Sequence, residues 1–268
     1  MKILPHVPLF PKIRALCARI EKEQGIRLLF CVENGSRAWR LESADSDYDV
    51  RFVFARKVNE YFCLKPKPDV IVMYYDKNLK PCGIKDACID MVGFDVLKFA
   101  RLLANSNPTA IEWLVTDIVY YGKQNESFRR FALRSFCPAS LVYHYQSLCR
   151  QNYFKYIRSG NLVSYKKYLY AFRGLVNARH VKNSNTLPPI DFTEALRKKG
   201  IIPEKVREKL EEMIRMKKEC RENEIVGRIP VLDSCIEAFL EEKIVPAVCR
   251  EKDTRFVEKG LQDVFFKQ

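Results

Sequence analysis

The residues best suited to chemistry lie in two neighbouring stretches, Gly35-Ser36-Arg37-Ala38-Trp39 and Asp45-Ser46-Asp47-Tyr48-Asp49-Val50-Arg51. Val50, Phe52 and Phe54 alternate with Asp49, Arg51 and Val53, the period of a half-buried strand. Residues two apart on a strand share a face, so Asp47 and Asp49 are expected to point the same way, followed by Arg51. Two adjacent carboxylates repel and raise one another's pKa. A divalent cation removes that repulsion, and oxygen ligands at this separation suit Mg²⁺. The Gly35-Ser36 turn lets backbone N–H groups and a hydroxyl approach an anion closely, as a triphosphate requires. Alone, an Asp-x-Asp on an exposed strand face is most often a solvated face. The Gly-Ser turn at a fixed offset upstream shifts the balance towards a site.

These residues need elements to hold them. Leu28-Leu29-Phe30-Cys31-Val32 reads as a buried strand leading into the turn. Before it, residues 12–23 place Ile13, Leu16, Cys17 and Ile20 on one helical face, and Gly25 ends that helix. Val70 to Tyr75 is a further candidate strand, and Asp86 to Val92 another that ends at Gly93. Asp95 can cap an amphipathic helix whose stripe is Val96, Phe99, Ala100 and Leu103. Asn105 to Pro108 breaks it, and a short helix starts at Thr109. From about Ser127 the chain turns helical, with long segments at 140–153, 162–181, 204–222 and 231–249. In the second of these, Lys166, Tyr170 and Arg173 fall at i, i+4 and i+7, placing two cations around an aromatic ring on one stripe.

Asn34-Gly35-Ser36 followed by Asp47-Tyr48-Asp49-Val50 resembles the signature of the DNA polymerase β nucleotidyltransferase superfamily, with Asn34 in place of the apolar residue usual there. The longer forms Gly-Ser-Arg-Ala-Trp and Asp-Ser-Asp-Tyr-Asp-Val-Arg are similar to one branch, the RlaP-type nucleotidyltransferases associated with RNA repair. Two later segments also resemble that branch: Gly93-Phe94-Asp95 through Glu112-Trp113-Leu114, and Lys166-Lys167-Tyr168-Leu169-Tyr170-Ala171-Phe172-Arg173. The resemblance implies an α+β fold with a small mixed β-sheet nucleotidyltransferase core and flanking helices at 1–122, then an all-helical C-terminal region at 123–268. It implies transfer of a nucleoside monophosphate from an NTP to an acceptor hydroxyl, a tRNA-like RNA end in repair or processing. The cofactor would be Mg²⁺, with Mn²⁺ as the alternative, held by Asp47 and Asp49. A third carboxylate is expected on a later strand: Asp90 first, with Asp95 and Asp86 left open. Gly35 and Ser36 would hold the β- and γ-phosphates, while Arg37, Arg51, Lys166 and Arg173 are candidates to contact substrate. Two other readings stay open: modification of a protein or small molecule, and a non-catalytic RNA-binding member of the fold.

Composition bounds these readings. The 268 residues are 47% hydrophobic and 30% charged, an ordinary globular composition, so disorder is not expected. The net charge of +14 favours a polyanionic partner. Ten cysteines without a secretory leader or Cys-x-x-Cys pair lead to the expectation of reduced, mostly buried thiols in a cytoplasmic protein. No apolar run is long enough to span a membrane, and no Walker-type phosphate loop occurs. His144, alone between Tyr143 and Tyr145, reads as structural, and His6 and His180 offer less.

Overall fold

Alternating burial along two strands sets the architecture. The computed structural model describes residues 7–160, 162–221, 224–242 and 253–266. The chain divides into two compact units, one of Met1–Ala38, Ser46–Phe136 and Lys252–Gln268, the other of Trp39–Asp45 and Cys137–Glu251. This division differs from the expected 1–122 and 123–268. The first unit extends to Phe136, and the C-terminal segment rejoins it.

The first unit holds a mixed five-stranded sheet ordered β3-β4-β2-β1-β5. Its strands are β1 (Arg27–Asn34), β2 (Tyr48–Ala55), β3 (Val70–Tyr75), β4 (Ile89–Asp95) and β5 (Val119–Gly122). β2 and β4 run parallel and the other pairings are antiparallel. Helix α1 (Phe10–Gln24) follows the predicted stripe: Ile13, Leu16, Cys17 and Ile20 are buried against Tyr48, Val50, Phe52, Ile89 and Met91. The αL residue Gly25 caps it. Helices α3 (Val96–Ala104), α4 (Pro108–Val115), α5 (Glu126–Arg134) and α11 (Arg255–Phe266) complete the unit. Phe99 meets Phe30, Trp113 and Phe128 in a ring cluster with centroids 5.7–6.0 Å apart.

Several expectations shift. Gly35–Ala38 forms a single helical turn, α2, rather than an open turn. β2 begins at Tyr48, so Asp47 lies just outside the strand. β4 does not stop at Gly93, because the Phe52 ring covers that position and a Cβ there would fall 2.0 Å from it. The Gly therefore serves cross-strand packing rather than termination. β5 and α11 were not anticipated; β5 is only four residues long and has no room for a clear period.

The second unit is built on α6 (Pro138–Asn152) and α7 (Tyr165–Ser184), joined through a π-helical turn, Tyr153–Arg158. α8 (Phe192–Leu196), α9 (Glu204–Met216) and α10 (Pro230–Glu241) follow. Of the helix expected at 231–249, α10 covers the part to Glu241 and ends there; residues 243–249, like His6 and Glu222, lie outside the described residues. Asp233 is buried and tied by Tyr168 Oη at 2.6 Å and Arg228 Nε at 2.7 Å. Cys137 is disulfide-bonded, at odds with the expectation of reduced, mostly buried thiols. Of the free cysteines, Cys17, Cys31 and Cys149 are buried and Cys63 is exposed. No described helix is long and apolar enough to cross a membrane.

Candidate active site

Parallel pairing of β2 with β4 sets Asp49 opposite Asp90. Both lie on the half-exposed face, while Val50 and Met91 turn into the core. One guanidinium serves both carboxylates: Arg51 Nη2 donates to Asp49 Oδ1 and to Asp90 Oδ2, each at 2.9 Å. Its Nη1 donates to the Asp90 carbonyl at 2.8 Å and the Val50 carbonyl at 3.0 Å. Arg51 thus offsets two like charges that would otherwise repel. The other oxygen of Asp90, Oδ1, is buried and has no hydrogen-bond partner among the described residues.

Gly35 packs directly on this pair. It has φ +62°, and a Cβ there would fall 1.8 Å from Asp49 Oδ2. Only glycine satisfies both conditions. Ser36 and Arg37 are buried in the same helical turn. Arg37 donates to the carbonyls of Ser46 and Asp47, and its guanidinium lies 3.9 Å from the Tyr48 ring centroid. It therefore fixes the path of the chain into β2. Asp47 is exposed just ahead of the strand.

Behind the pair stands a residue that the motif reading did not single out. Glu33, at the end of β1, is fully buried. Its Oε1 accepts the Asp49 N–H at 2.8 Å and its Oε2 accepts from the Tyr120 hydroxyl. Burial pushes its carboxyl up to about 8, the Asp49 charge adds to the rise, and the Tyr120 and Asp49 hydrogen bonds and Arg37 oppose it. The signal was present: an acidic residue at the end of an otherwise apolar strand run, just before the glycine.

Of the two alternative third carboxylates, one is engaged in other hydrogen bonds and the other lies in an exposed loop. Asp95 is buried, accepts from Leu97 N–H at 2.9 Å as the cap of α3, and accepts from Tyr61 Oη at 2.8 Å. Asp86 is exposed in the loop before β4. Asp90 is the one set beside Asp49. Lys166 and Arg173 belong to α7 of the second unit. There Arg173 is buried with its guanidinium 3.7 Å from the Trp39 ring centroid, and Tyr170 meets the same ring edge-on at 5.7 Å. The spacing placed these residues on one stripe, and the stripe's arginine faces a ring rather than solvent.

No group of three or more His, Cys, Asp or Glu able to hold a metal ion occurs among the described residues. The chemistry of the donors still fits a hard cation: Asp49 and Asp90 offer carboxylate oxygens in register, and Asp90 Oδ1 is buried and unpartnered. Arg51 provides the positive charge between them in this arrangement.

The family described as "RNA repair pathway DNA polymerase beta family", RlaP, matches residues 11–267. The chain is 36% identical over 225 residues to the Bacillus subtilis (strain 168) protein called "Uncharacterized protein YcgL", covering 83% of this chain and 82% of that one. Among solved structures it is similar to a nucleotidyltransferase-like protein from Exiguobacterium sibiricum 255-15, with 15% identity and a TM-score of 0.30, covering 94% of this chain and 79% of that one.

Proposed function

Because the chain belongs to the RlaP family, the RNA repair pathway DNA polymerase beta family, we propose that it is a metal-dependent nucleotidyltransferase that moves a nucleoside monophosphate from an NTP to the hydroxyl of an RNA end. The observation that carries this reading is the pairing of Asp49 with Asp90 beside Gly35. Asp47, Asp49 and Asp90 would hold Mg²⁺ or Mn²⁺, which neutralises phosphate charge and lowers the pKa of a hydroxyl close to it. Asp90 would take the acceptor proton, a role supported by its Oδ1 being buried without a hydrogen-bond partner among the described residues. The acceptor oxygen then forms a bond to the α-phosphorus, the bond to the bridging oxygen breaks, and pyrophosphate leaves. Gly35 allows the chain to pass close to Asp49, Ser36 offers a hydroxyl in the same turn, and Arg37 and Glu33 hold the backbone on either side of the pair. Arg51, now bonded to both carboxylates, can turn to phosphate oxygens once a cation takes over its role.

A second reading, a non-catalytic RNA-binding member of the fold, draws on the same arginine, which already neutralises the pair. One experiment separates the two. The protein is incubated with each labelled NTP, Mg²⁺ or Mn²⁺ and a pool of small RNAs, beside the Asp49→Asn variant. Label transferred to RNA by the wild type alone supports the enzyme. RNA binding without transfer under either metal supports the binding protein.

A further inference from the structure

The second unit carries an aromatic and cationic surface that the reading above does not use. Between Cys137 and Asp191 the sequence has eight lysines and arginines and no aspartate or glutamate. Within that stretch α6 gives way to the π-helical turn Tyr153–Arg158. π-turns re-aim side chains and are frequent where a helix meets a ligand. Here Tyr153 and Ile157 are buried, while Phe154 and Tyr156 are 37% and 36% exposed. Each exposed ring is bracketed by two cations. Arg150 and Arg158 lie 5.8 and 5.3 Å from the Phe154 centroid. Lys155 and Lys167 lie 5.0 and 5.5 Å from that of Tyr156. Arg150 also donates to the Leu240 carbonyl and Lys167 to the Leu162 carbonyl. None of these four cations forms an ion pair among the described residues.

Cation–π pairs inside one chain can serve only to shield exposed rings. A solvated helix surface, however, ordinarily mixes both signs of charge along its sequence, whereas this stretch has one sign only; the acidic neighbours come from elsewhere, Glu237 accepting from Tyr153 Oη and Glu242 pairing with Arg179 and Lys182. Aromatic faces set among unpaired cations complement a polyanion that also presents planar faces. A duplex hides its base faces, and an acidic peptide offers none; a single strand offers both phosphates and unstacked bases. We propose that Phe154 and Tyr156, flanked by Arg150, Lys155, Arg158 and Lys167, form a stacking platform for single-stranded RNA. The proposal rests on the reading that RNA is the acceptor and says which surface of the second unit holds it.

The test is a fluorescence-anisotropy titration of the full chain with a labelled single-stranded oligouridylate and with duplex RNA of the same length, across a salt series. Phe154→Leu/Tyr156→Leu keeps apolar bulk but removes both rings; it is expected to weaken single-strand binding about tenfold per ring with an unchanged salt slope. Phe154→Tyr/Tyr156→Phe, which keeps the rings, is expected to bind like the wild type. Lys155→Ala/Lys167→Ala is expected to flatten the slope by about 0.7 per cation. Circular dichroism establishes folding, and if the double-leucine variant does not fold, the lysine pair decides: an unchanged slope overturns the platform. Unchanged single-strand affinity in a folded double-leucine variant also overturns it, even where Asp49-dependent transfer to RNA is intact. Equal loss of polyglutamate and RNA binding on removing the rings would assign the surface to acidic protein and likewise overturn it. Ring-dependent RNA binding with no transfer from any NTP upholds the platform and removes only the transferase reading.

Discussion

Asp49 and Asp90 face one another across parallel strands and accept hydrogen bonds from the same nitrogen of Arg51, each at 2.9 Å. Either carboxylate can lose its charge without leaving a buried ion unpaired, since the other still balances the guanidinium. Asp49→Asn and Asp90→Asn are therefore expected to fold, with melting temperatures close to that of the wild type. Transfer from an NTP should nonetheless fall by at least ~10²-fold, the scale for losing one group that stabilises transition-state charge. Single-turnover transfer on a proven acceptor, measured beside thermal melts, checks both halves. Near wild-type transfer by Asp49→Asn would remove the mechanism.

Gly35 and Gly25 have nearly the same backbone, φ +62° and +59°, but different surroundings. A Cβ at Gly25 meets nothing within 4 Å, whereas at Gly35 it would fall 1.8 Å from Asp49 Oδ2. Gly25→Ala should lose about 1 kcal/mol from its left-handed conformation alone. Gly35→Ala should lose more, and should also lose transfer by displacing the Asp49 carboxylate. Chemical denaturation of the two variants isolates the contact. Equal losses, with transfer intact in both, would show that the Asp49 side chain simply moves aside.

Glu33 accepts from both the Asp49 N–H and the Tyr120 hydroxyl in a fully buried position. Glu33→Ala leaves both donors unsatisfied, at roughly 1–3 kcal/mol each. Glu33→Gln keeps one carbonyl for the Asp49 N–H and turns its amide to the Tyr120 oxygen, so most of the stability should return. Urea unfolding of the pair is the measurement. If alanine and glutamine lower stability equally, the hydrogen bonds are not what this residue contributes.

Period and turn chemistry made much of the first unit legible. The apolar stripe of α1, the strand at Val70–Tyr75 and the Asp95 cap of α3 all follow from local spacing. Asp90 beside Asp49 required more, because strand order and register are tertiary facts; the resemblance to a family supplied that expectation, and the parallel pairing places the two residues together. What stayed hidden depends on partners distant in sequence. Gly93 looks like a strand end until Phe52 lies over it, and the acidic Glu33 at the end of an apolar run shows its role only when Tyr120 closes on it. The π-helical turn at Tyr153–Arg158 leaves no trace in a periodicity so close to that of the flanking helix.

His180 is buried on α7, with Nε2 3.0 Å from Thr186 Oγ1. Burial lowers its pKa, and the nearby Lys198 charge lowers it further. An unfolded histidine titrates near ~6.5, so below that pH the unfolded chain binds a proton that the folded chain resists. Stability from the neutral imidazole is thus present above about pH 6.5 and is lost as pH falls towards the folded value. Between pH 7.5 and 5.5, in roughly the window that principle defines, the wild type should lose more stability than His180→Gln, which keeps a polar partner for Thr186. Melting curves at each pH give the comparison. Parallel losses in the two proteins would show that this histidine does not carry the pH dependence.

Arg173 and Lys166 share a helical stripe, but the structure gives them different surroundings. Arg173 is buried with its guanidinium 3.7 Å from the Trp39 ring, whereas Lys166 is only half-buried. A desolvated cation–π contact of this kind is worth about 2 kcal/mol, and a planar guanidinium stacks where an ammonium does not. Arg173→Ala should therefore lower stability by roughly that amount, with Arg173→Lys recovering only part of it. A buried guanidinium displaces no counterions, so the salt dependence of RNA binding should hardly change in either variant. Lys166→Ala is expected to do the reverse: little effect on melting, and a salt slope flatter by about 0.7 if it meets a phosphate of a single strand. Thermal melts and an RNA-binding salt series on the three variants check the contrast. A stable Arg173→Ala protein with a flattened slope would return the guanidinium to phosphate contact, the role its spacing first suggested.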